Sequence, residues 1–280
     1  METFIKKKLI VTILTPEGKS YRFDHSAIEC SITKTGGIEF AKANVKIYGL
    51  QLNTLSALTW AIYLKNKMPL FDIIIEAQDG NSSPVQVFKG EILFSCADLN
   101  GASPVLKIEA QTGSFHQMQP SPPVSIAGTT PLSDFVAGEC SKIGYEFVNE
   151  GVTASLKDCT ISGSPIEKIR YACSQVGADV LIDDKIVYLI RKSKPRENPG
   201  GIPVISAESG MIGYPVLTST GISCVTYFRP DLALGAMVRV ETIVPHCTGV
   251  WHITELAHEL SVCSASKTAW RTSFNATWTT

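Results

Sequence analysis

The side chains that could bind a metal are concentrated near the C-terminus. His246, Cys247, His252, His258 and Cys263 lie within eighteen positions. His252 and His258 are an even number of residues apart on one predicted strand, so they could share a face of the sheet. At roughly 3.3 Å per residue they would be about 20 Å apart, whereas zinc ligands converge at about 2.0–2.3 Å. The spacing favours histidines at a sheet surface or an interface, and we predict no metal and no cofactor.

Hydrolytic chemistry finds equally little support. Asp24-His25-Ser26 brings together the residue types of a catalytic triad, but neighbours on a strand point to opposite faces and cannot relay a proton. Ser209 follows no G-x-S-x-G pattern. Asp183-Asp184 with Glu39 or Glu91 could supply paired carboxylates for glycoside cleavage, yet adjacent aspartates are more typical of a hairpin turn. We therefore predict no catalytic residue and no enzyme activity.

Recognition of phosphate is not indicated either. Gly36-Gly37 and Gly200-Gly201 lack the strand-to-helix context of a nucleotide-binding loop. The net charge of −1 argues against a protein that holds nucleic acid by neutralising phosphates. The basic clusters Lys6-Lys7-Lys8 and Lys192–Arg196 are short and lack interleaved aromatic residues, so we interpret them as a solvated tail and a linker.

Hydropathy and cysteine usage limit where the chain can act. No run of roughly 18 apolar residues exists that would predict a transmembrane helix, and the apolar run after Met1–Leu9 is too short for a signal peptide. The eight cysteines are scattered without a C-x-x-C pair, and several, such as Cys96 and Cys224, lie in apolar runs. We expect them to be reduced and mostly buried.

Two outer segments carry the pattern of antiparallel β-structure. Residues 8–113 alternate apolar and polar side chains between Gly and Pro turns, as in a sandwich or barrel. One helix is predicted near residues 53–65, with Asn53 as N-cap and with apolar residues at helical spacing, namely Leu55, Leu58, Ala61 and Ile62. Residues 204–279 are again predicted as strands: Val216–Thr218, Ile222–Phe228, Met237–Ile243, Val250–Ser261 and Ala269–Thr277.

The segment between them is predicted to be a small α/β insert. Its linkers are residues 117–123 and 192–203, which are rich in Pro and Gly. One helix should start at a Thr130 cap with Pro131 in its first position and end at Gly144. A second should start at the capping box Ser164–Glu167 and end at Gly177. Asp183-Asp184-Lys185 is then predicted as the turn of a hairpin between Val180–Ile182 and Ile186–Ile190.

The sequence thus predicts a mainly β chain with three units. These are a first β unit at 1–116, an α/β insert at 117–198 and a second β unit at 199–280. Trp251, Trp270 and Trp278 of the last unit are expected in a core or at a subunit interface.

Several stretches, taken in order, resemble the baseplate hub protein of contractile-tailed bacteriophages. The resemblance covers nearly the whole chain and is strongest in the last unit. This sequence differs from the family pattern at Val262–Lys267, where a glycine-rich loop would be expected. The similar stretches are Phe40–Leu50, Asn53–Leu55, Phe88–Ile92, Pro120–Thr130, Gly163–Pro165, Val180–Ile190, Gly210–Pro215, Tyr227–Pro230, Gly249–Trp251, His258–Leu260 and Trp270–Phe274.

The resemblance implies a structural protein of the virion tail baseplate. Such hubs are homotrimers whose subunits contribute two tail-tube-like β-barrel domains, so three chains offer six similar surfaces. The expected partners are the central spike, the tail tube protein, the tape measure protein and other baseplate components. An equivalent hub of a phage-derived contractile injection device, a tail-tip peptidoglycan hydrolase and a glycan-binding tail protein are the alternatives.

Overall fold

The computed structural model describes residues 7–36, 40–61, 71–113, 116, 121–192, 194–198, 200–264 and 269–278. Strands dominate this part of the chain, and three helices accompany them. The predicted fold class, mainly β with an α/β insert, is confirmed. None of the described helices is long and apolar enough to cross a membrane.

The first β unit is built from strands whose side chains alternate between core and solvent. In β4 (Lys42–Tyr48), Ala43, Val45 and Ile47 are buried while Lys42 and Lys46 are exposed, as a half-buried strand requires. The elements are β1 (Lys7–Leu14), β2 (Ser20–Phe23), β3 (Ile28–Thr35), β4 (Lys42–Tyr48), α1 (Leu52–Leu58), β5 (Trp60–Ala61), β6 (Asp72–Asp79), β7 (Val85–Asp98) and β8 (Val105–Gln111).

Helix α1 is shorter than the sequence predicted. Leu55 and Leu58 are buried, in agreement with the prediction. The N-cap is Gln51, which makes no side-chain capping hydrogen bond, so the assignment of Asn53 as N-cap was wrong. Thr59 is extended and Ala61 belongs to β5, because pairing with β7 competes successfully with a further helical turn. Ile62 and the rest of the predicted helix lie outside the described residues.

The α/β insert contains more strands than the sequence predicted. Its predicted hairpin is present as β12 (Ala178–Asp183) and β13 (Ile186–Arg191), and β10 (Glu146–Glu150) lies parallel to β13. Three strands were not predicted, namely β10 and the strands β9 and β11, which pair with each other in a separate antiparallel ribbon. The elements are β9 (Ser121–Pro131), α2 (Leu132–Ile143), β10 (Glu146–Glu150), β11 (Ser155–Gly163), α3 (Pro165–Val176), β12 (Ala178–Asp183) and β13 (Ile186–Arg191).

The helix ends of the insert follow local sequence signals, with one exception. The Ser164 side chain accepts from the Glu167 backbone, and the Glu167 side chain accepts from the Ser164 backbone, which confirms the capping box. Gly144 and Gly177 end their helices in the left-handed conformation, as predicted. Thr130 is not a cap.

Thr130 lies instead in β9, and Pro131 is the N-cap of α2. Strand pairing with Leu156 determines the conformation of Thr130. The linker predicted at 117–123 was also wrong for residues 121–123, which belong to β9, while residues 117–120 lie outside the described part.

The last unit resembles the prediction closely. The largest difference is at Met237–Ile243: β17 (Met237–Val240) ends three residues earlier than predicted, and Thr242 and Thr248 hydrogen-bond to each other across a loop. The elements are β14 (Val204–Ile205), β15 (Val216–Leu217), β16 (Gly221–Tyr227), β17 (Met237–Val240), β18 (Gly249–Val262) and β19 (Trp270–Trp278).

One sheet runs through both β units. Strand β18 of the last unit pairs antiparallel with β3 of the first over Glu255–Val262. The resulting 14-stranded sheet has the order β15-β16-β19-β18-β3-β4-β8-β7-β6-β1-β2, with β14, β17 and β5 as side branches. The sequence showed no sign of this junction, because the paired strands are more than 200 residues apart in the chain.

The apolar core consists of three main clusters, one for each unit of the chain. One cluster fills the first β unit and includes Phe228, Leu260 and Trp270 from the last unit. A second cluster fills the α/β insert, and a third fills the last unit. The boundaries predicted at 116/117 and 198/199 remain a prediction.

Candidate functional site

The hairpin turn of the α/β insert is held by charges on the first β unit. The turn consists of Asp183, Asp184 and Lys185, and the last two residues have positive φ angles of 49° and 68°. Left-handed backbone is unfavourable for residues with a side chain, so the surrounding contacts must stabilise it. We call these three residues and their ionic partners the joint.

Lys34 of β3 is the central cation of the joint. Its side chain is nearly buried, and its Nζ lies 2.7 Å from Asp183 Oδ1 and 3.0 Å from Asp184 Oδ2. Burial opposes the charge on Lys34, but the two carboxylates outweigh burial and raise its pKa. A charged lysine is therefore fixed between the sheet and the turn.

The two aspartates of the turn differ in their pKa. Burial alone would raise the pKa of the Asp183 carboxyl. The charges of Lys34 and Arg196 outweigh burial, so the net effect is a lowered pKa. Burial and the neighbouring Asp183 raise the pKa of Asp184 despite Lys34. Asp184 also accepts a hydrogen bond of 3.1 Å from the backbone N–H of Lys89.

Lys185 makes the second ionic contact of the joint. Its Nζ lies 3.0 Å from Asp72 on β6 and 3.0 Å from Glu91 on β7. Glu91 is only 1 % exposed and also accepts hydrogen bonds from the backbone of Gly113 and the hydroxyl of Tyr145. Glu91 therefore has buried partners on both of its carboxylate oxygens.

The hairpin also contacts the last β unit. Leu181, Tyr188 and Ile190 pack with Leu234 in a small apolar cluster. Arg196 lies over the ring of Tyr188, 3.6 Å from its centroid, and 3.6 Å from Asp183. Arg196 is half-buried in the joint, so the interpretation of Lys192–Arg196 as a wholly solvated linker was wrong for this residue.

The histidines do not converge. His258 is buried beside the Phe228 ring, and its Nδ1 lies 3.0 Å from Thr272 Oγ1. Burial, together with the charge of Lys34, lowers the pKa of His258 to about 3. A bulge between Ile253 and Glu255 shifts the strand by one residue, so His252 and His258 do not share a face. That prediction was wrong.

The remaining metal candidates are also dispersed. His246 lies in an exposed turn with positive φ, Cys247 is fully buried, and Cys263 is exposed. Within the described ranges, no three metal-ligating side chains form a group. All eight cysteines are free and only Cys263 is exposed, in agreement with the expectation of mostly buried thiols.

The hydrolytic candidates have other roles. Asp24-His25-Ser26 forms a bend after β2 and not a strand, so our reason for rejecting it was wrong. Asp24 contacts Lys8 at 3.2 Å, and the His25 side chain is 86 % exposed. Ser209 donates to the Val204 carbonyl within a loop. Asp183-Asp184 forms the predicted hairpin turn, and Glu91 belongs to the joint, while Glu39 lies outside the described residues.

A second feature lies at one end of the sheet. Residues Gly210–Leu217, here called the terminal edge, run beside β16 and contain β15, the first strand in the sheet order. Tyr214, Val216 and Leu217 are 65 %, 63 % and 49 % exposed. No charged residue occurs between Glu208 and Arg229, whereas exposed sheet edges are usually protected by charge.

The tryptophans of the last unit divide between interior and surface. Trp251 and Trp270 are buried in the core, as expected. Trp278 is 60 % exposed and meets the Trp251 ring edge-on. Neither the joint nor the terminal edge was predicted from the sequence, although the uncharged stretch around the edge is visible there.

Residues 9–268 match the family model described as Baseplate hub gp41. The comparison with curated protein sequences gives no match.

Solved structures share the fold at low sequence identity. The tail protein from Neisseria meningitidis MC58 aligns with a TM-score of 0.66 and 10 % identity over 96 % of each chain. The 43 kDa tail protein of prophage MuSo2 from Shewanella oneidensis gives 0.63 and 9 %, over 97 % of this chain and 96 % of that one. The E. coli c3393 protein, a component of the type VI secretion system, gives 0.60 and 7 %, over 90 % and 74 %.

Proposed function

Because the chain belongs to the Baseplate hub gp41 family, we propose that it forms a homotrimeric hub that adapts the sixfold tail tube to the threefold central spike. The family makes it a structural protein of the virion tail baseplate. The observation that carries the finer proposal is the continuous sheet, in which β18 and β3 join two β units of one chain. Three such chains would offer six β units around one axis.

The first test is the mass of the purified full-length chain in solution. Native mass spectrometry should find a complex of three chains, and electron micrographs should show rings. A protein that remains monomeric at all concentrations, alone and with the spike protein, would contradict the proposal.

The proposed partners follow from the two symmetries that the hub would connect. We propose that one end of the ring binds the central spike and the other starts assembly of tail tube protein, with the tape measure and other baseplate proteins nearby. Purified tube protein should polymerise faster when the hub is added. Equal polymerisation rates with and without the hub would contradict the proposed nucleation.

We also propose that the hub has no catalytic role. The carboxylates of Asp183, Asp184 and Glu91 are paired with Lys34 and Lys185 in the joint, which suits a structural function. Purified cell walls should remain intact after incubation with the protein, and soluble glycans should not bind. Release of soluble cell-wall fragments would support the hydrolase alternative, and glycan binding would support the glycan-binding alternative.

A hub in a contractile injection device is the second candidate. It is favoured by the fold shared with a component of the type VI secretion system, although 7 % identity supports the fold alone. The genes beside the one that encodes this chain distinguish the two. Capsid and packaging genes would indicate a phage, and their absence from an otherwise complete tail cluster would indicate an injection device.

A further inference from the structure

The sheet has a second uncharged region, which lies several strands away from the terminal edge in the sheet order. From β15 the sheet path runs through β16, β19, β18, β3, β4, β8 and β7, and β5 pairs with β7 on the side away from β8. Both β15 and β5 are two-residue strands. The path itself continues from β7 through β6 and β1 to β2, and β5 is a side branch that pairs with β7 beside the end of β6. We call residues Leu52–Ala61, which form α1 and β5, the α1–β5 flank.

The α1–β5 flank shares its composition with the terminal edge. No charged residue occurs between Lys46 and Lys65, just as none occurs between Glu208 and Arg229. Leu52 is 65 % exposed, and Asn53, Ser56 and Ala57 are also exposed. Below them, Leu55 and Leu58 are buried against the first β unit, which fixes the helix on the sheet.

Depletion of charge with exposed apolar side chains is the composition of an interface core. An isolated edge of this kind would invite aggregation, but two different edges of one subunit can cover each other between successive copies in a closed ring. We propose that the terminal edge of one copy of this chain packs against the α1–β5 flank of the next copy. This inference rests on the proposed homotrimer and identifies its subunit interface.

The two surfaces are different, so the contact is heterologous. A contact between unlike surfaces generates a ring when the rotation closes, whereas an edge that paired with itself would give a twofold dimer. An uncharged surface also excludes a strongly charged partner, because the buried charge would remain without an opposite charge. A second copy supplies a matching uncharged surface from within the same sequence.

Charge insertion tests the interface. Leu217→Glu and Leu52→Glu each place a carboxylate in one of the two surfaces, and each should abolish the trimer, so that the full-length protein sediments as a monomer. Ile243→Glu is the matched control, because Ile243 is 84 % exposed in the last unit but lies in neither surface. It should remain trimeric. Thermal unfolding verifies that all three variants are folded.

Cross-linking tests which surfaces meet. In a Cys263→Ser background, a chain with both Val216→Cys and Asn53→Cys should form covalent dimers and trimers with a short bismaleimide. Chains with only one of the new cysteines should not. Cross-linking of Val216→Cys alone would show that the edge pairs with itself and would overturn the proposal.

The outcomes separate this inference from the proposed function. A wild-type trimer that tolerates both Leu217→Glu and Leu52→Glu would overturn the interface and leave the hub proposal intact. A wild-type protein that never forms a trimer would overturn both.

Discussion

The joint and the terminal edge are organised by opposite means. The joint buries charged groups that are paired with one another inside one chain, as Lys34 is with Asp183 and Asp184. The terminal edge exposes apolar groups and contains no charge. Charge pairs specify one geometry because a misplaced partner leaves a buried ion, whereas apolar surface binds any surface of matching shape. The chain thus uses specific contacts within the subunit and apolar surface where we propose contacts between subunits.

The largest effect is expected from removing the central cation of the joint. Lys34→Met leaves two buried carboxylates without their main partner, and loss of one member of a buried pair costs roughly 3–5 kcal/mol. Urea unfolding at fixed protein concentration should show this loss. Lys107→Met is the control, because Lys107 forms an exposed pair with Asp98. The unfolding midpoint of this variant should equal that of the wild type. Equal midpoints for both variants would contradict the role of the joint.

The second prediction concerns acid stability near the joint. His258 is neutral in the fold because its pKa is lowered to about 3, but the unfolded chain binds its proton near 6.5. Between these values the unfolded state holds the extra proton, so stability falls as the pH falls, by up to about 1.4 kcal/mol per pH unit. His258→Gln should weaken this dependence between pH 6.5 and 4.5.

Two groups of the joint also titrate in acid. Asp183, whose pKa is lowered in the fold, loses its stabilising contribution as the pH falls below its unfolded value of 3.8. Asp184, whose pKa is raised in the fold, instead increases stability as the pH falls through its folded pKa. Both remain in the variant, so the difference between wild type and His258→Gln isolates the histidine. Parallel curves of unfolding free energy against pH would refute the assignment.

A smaller effect is expected at the second ionic contact of the joint. Glu91→Gln preserves the shape and an oxygen acceptor, while Lys185 keeps Asp72 as its partner. The loss should be about 1–3 kcal/mol, as for a buried hydrogen bond with a charged group. Urea unfolding of Glu91→Gln and of Lys34→Met under the same conditions shows which of the two contacts contributes more to the free energy of unfolding. A larger loss for Glu91→Gln would reverse that order.

The smallest effect is expected from salt on assembly. Salt screens interactions between exposed charges, and the terminal edge and the α1–β5 flank have none. The trimer dissociation constant should therefore change by less than about twofold between 0.05 and 0.5 M salt, because no charge pair is screened. Sedimentation at several protein concentrations measures it. A strong weakening by salt would indicate that charged residues outside these surfaces carry the contact.

Local structure was accessible from the sequence where one segment determines its own conformation. The capping box at Ser164, the glycine stops at Gly144 and Gly177 and the turn at Asp183-Asp184 follow from backbone hydrogen bonding and from φ angles available to few residues. Thr130 shows the limit of such local signals. The same local signals predicted it as a cap, but pairing with a distant strand placed it in β9.

The sequence by itself determined the alternation of the strands, the order of the three units and the absence of charge along Gly210–Leu217. Only the tertiary structure decided that β18 pairs with β3, that the bulge after Ile253 separates His252 from His258, and that Lys34 reaches Asp183. The reason is physical. Alternation and capping depend on neighbours along the chain, whereas these contacts join residues that are brought together only when the whole core packs.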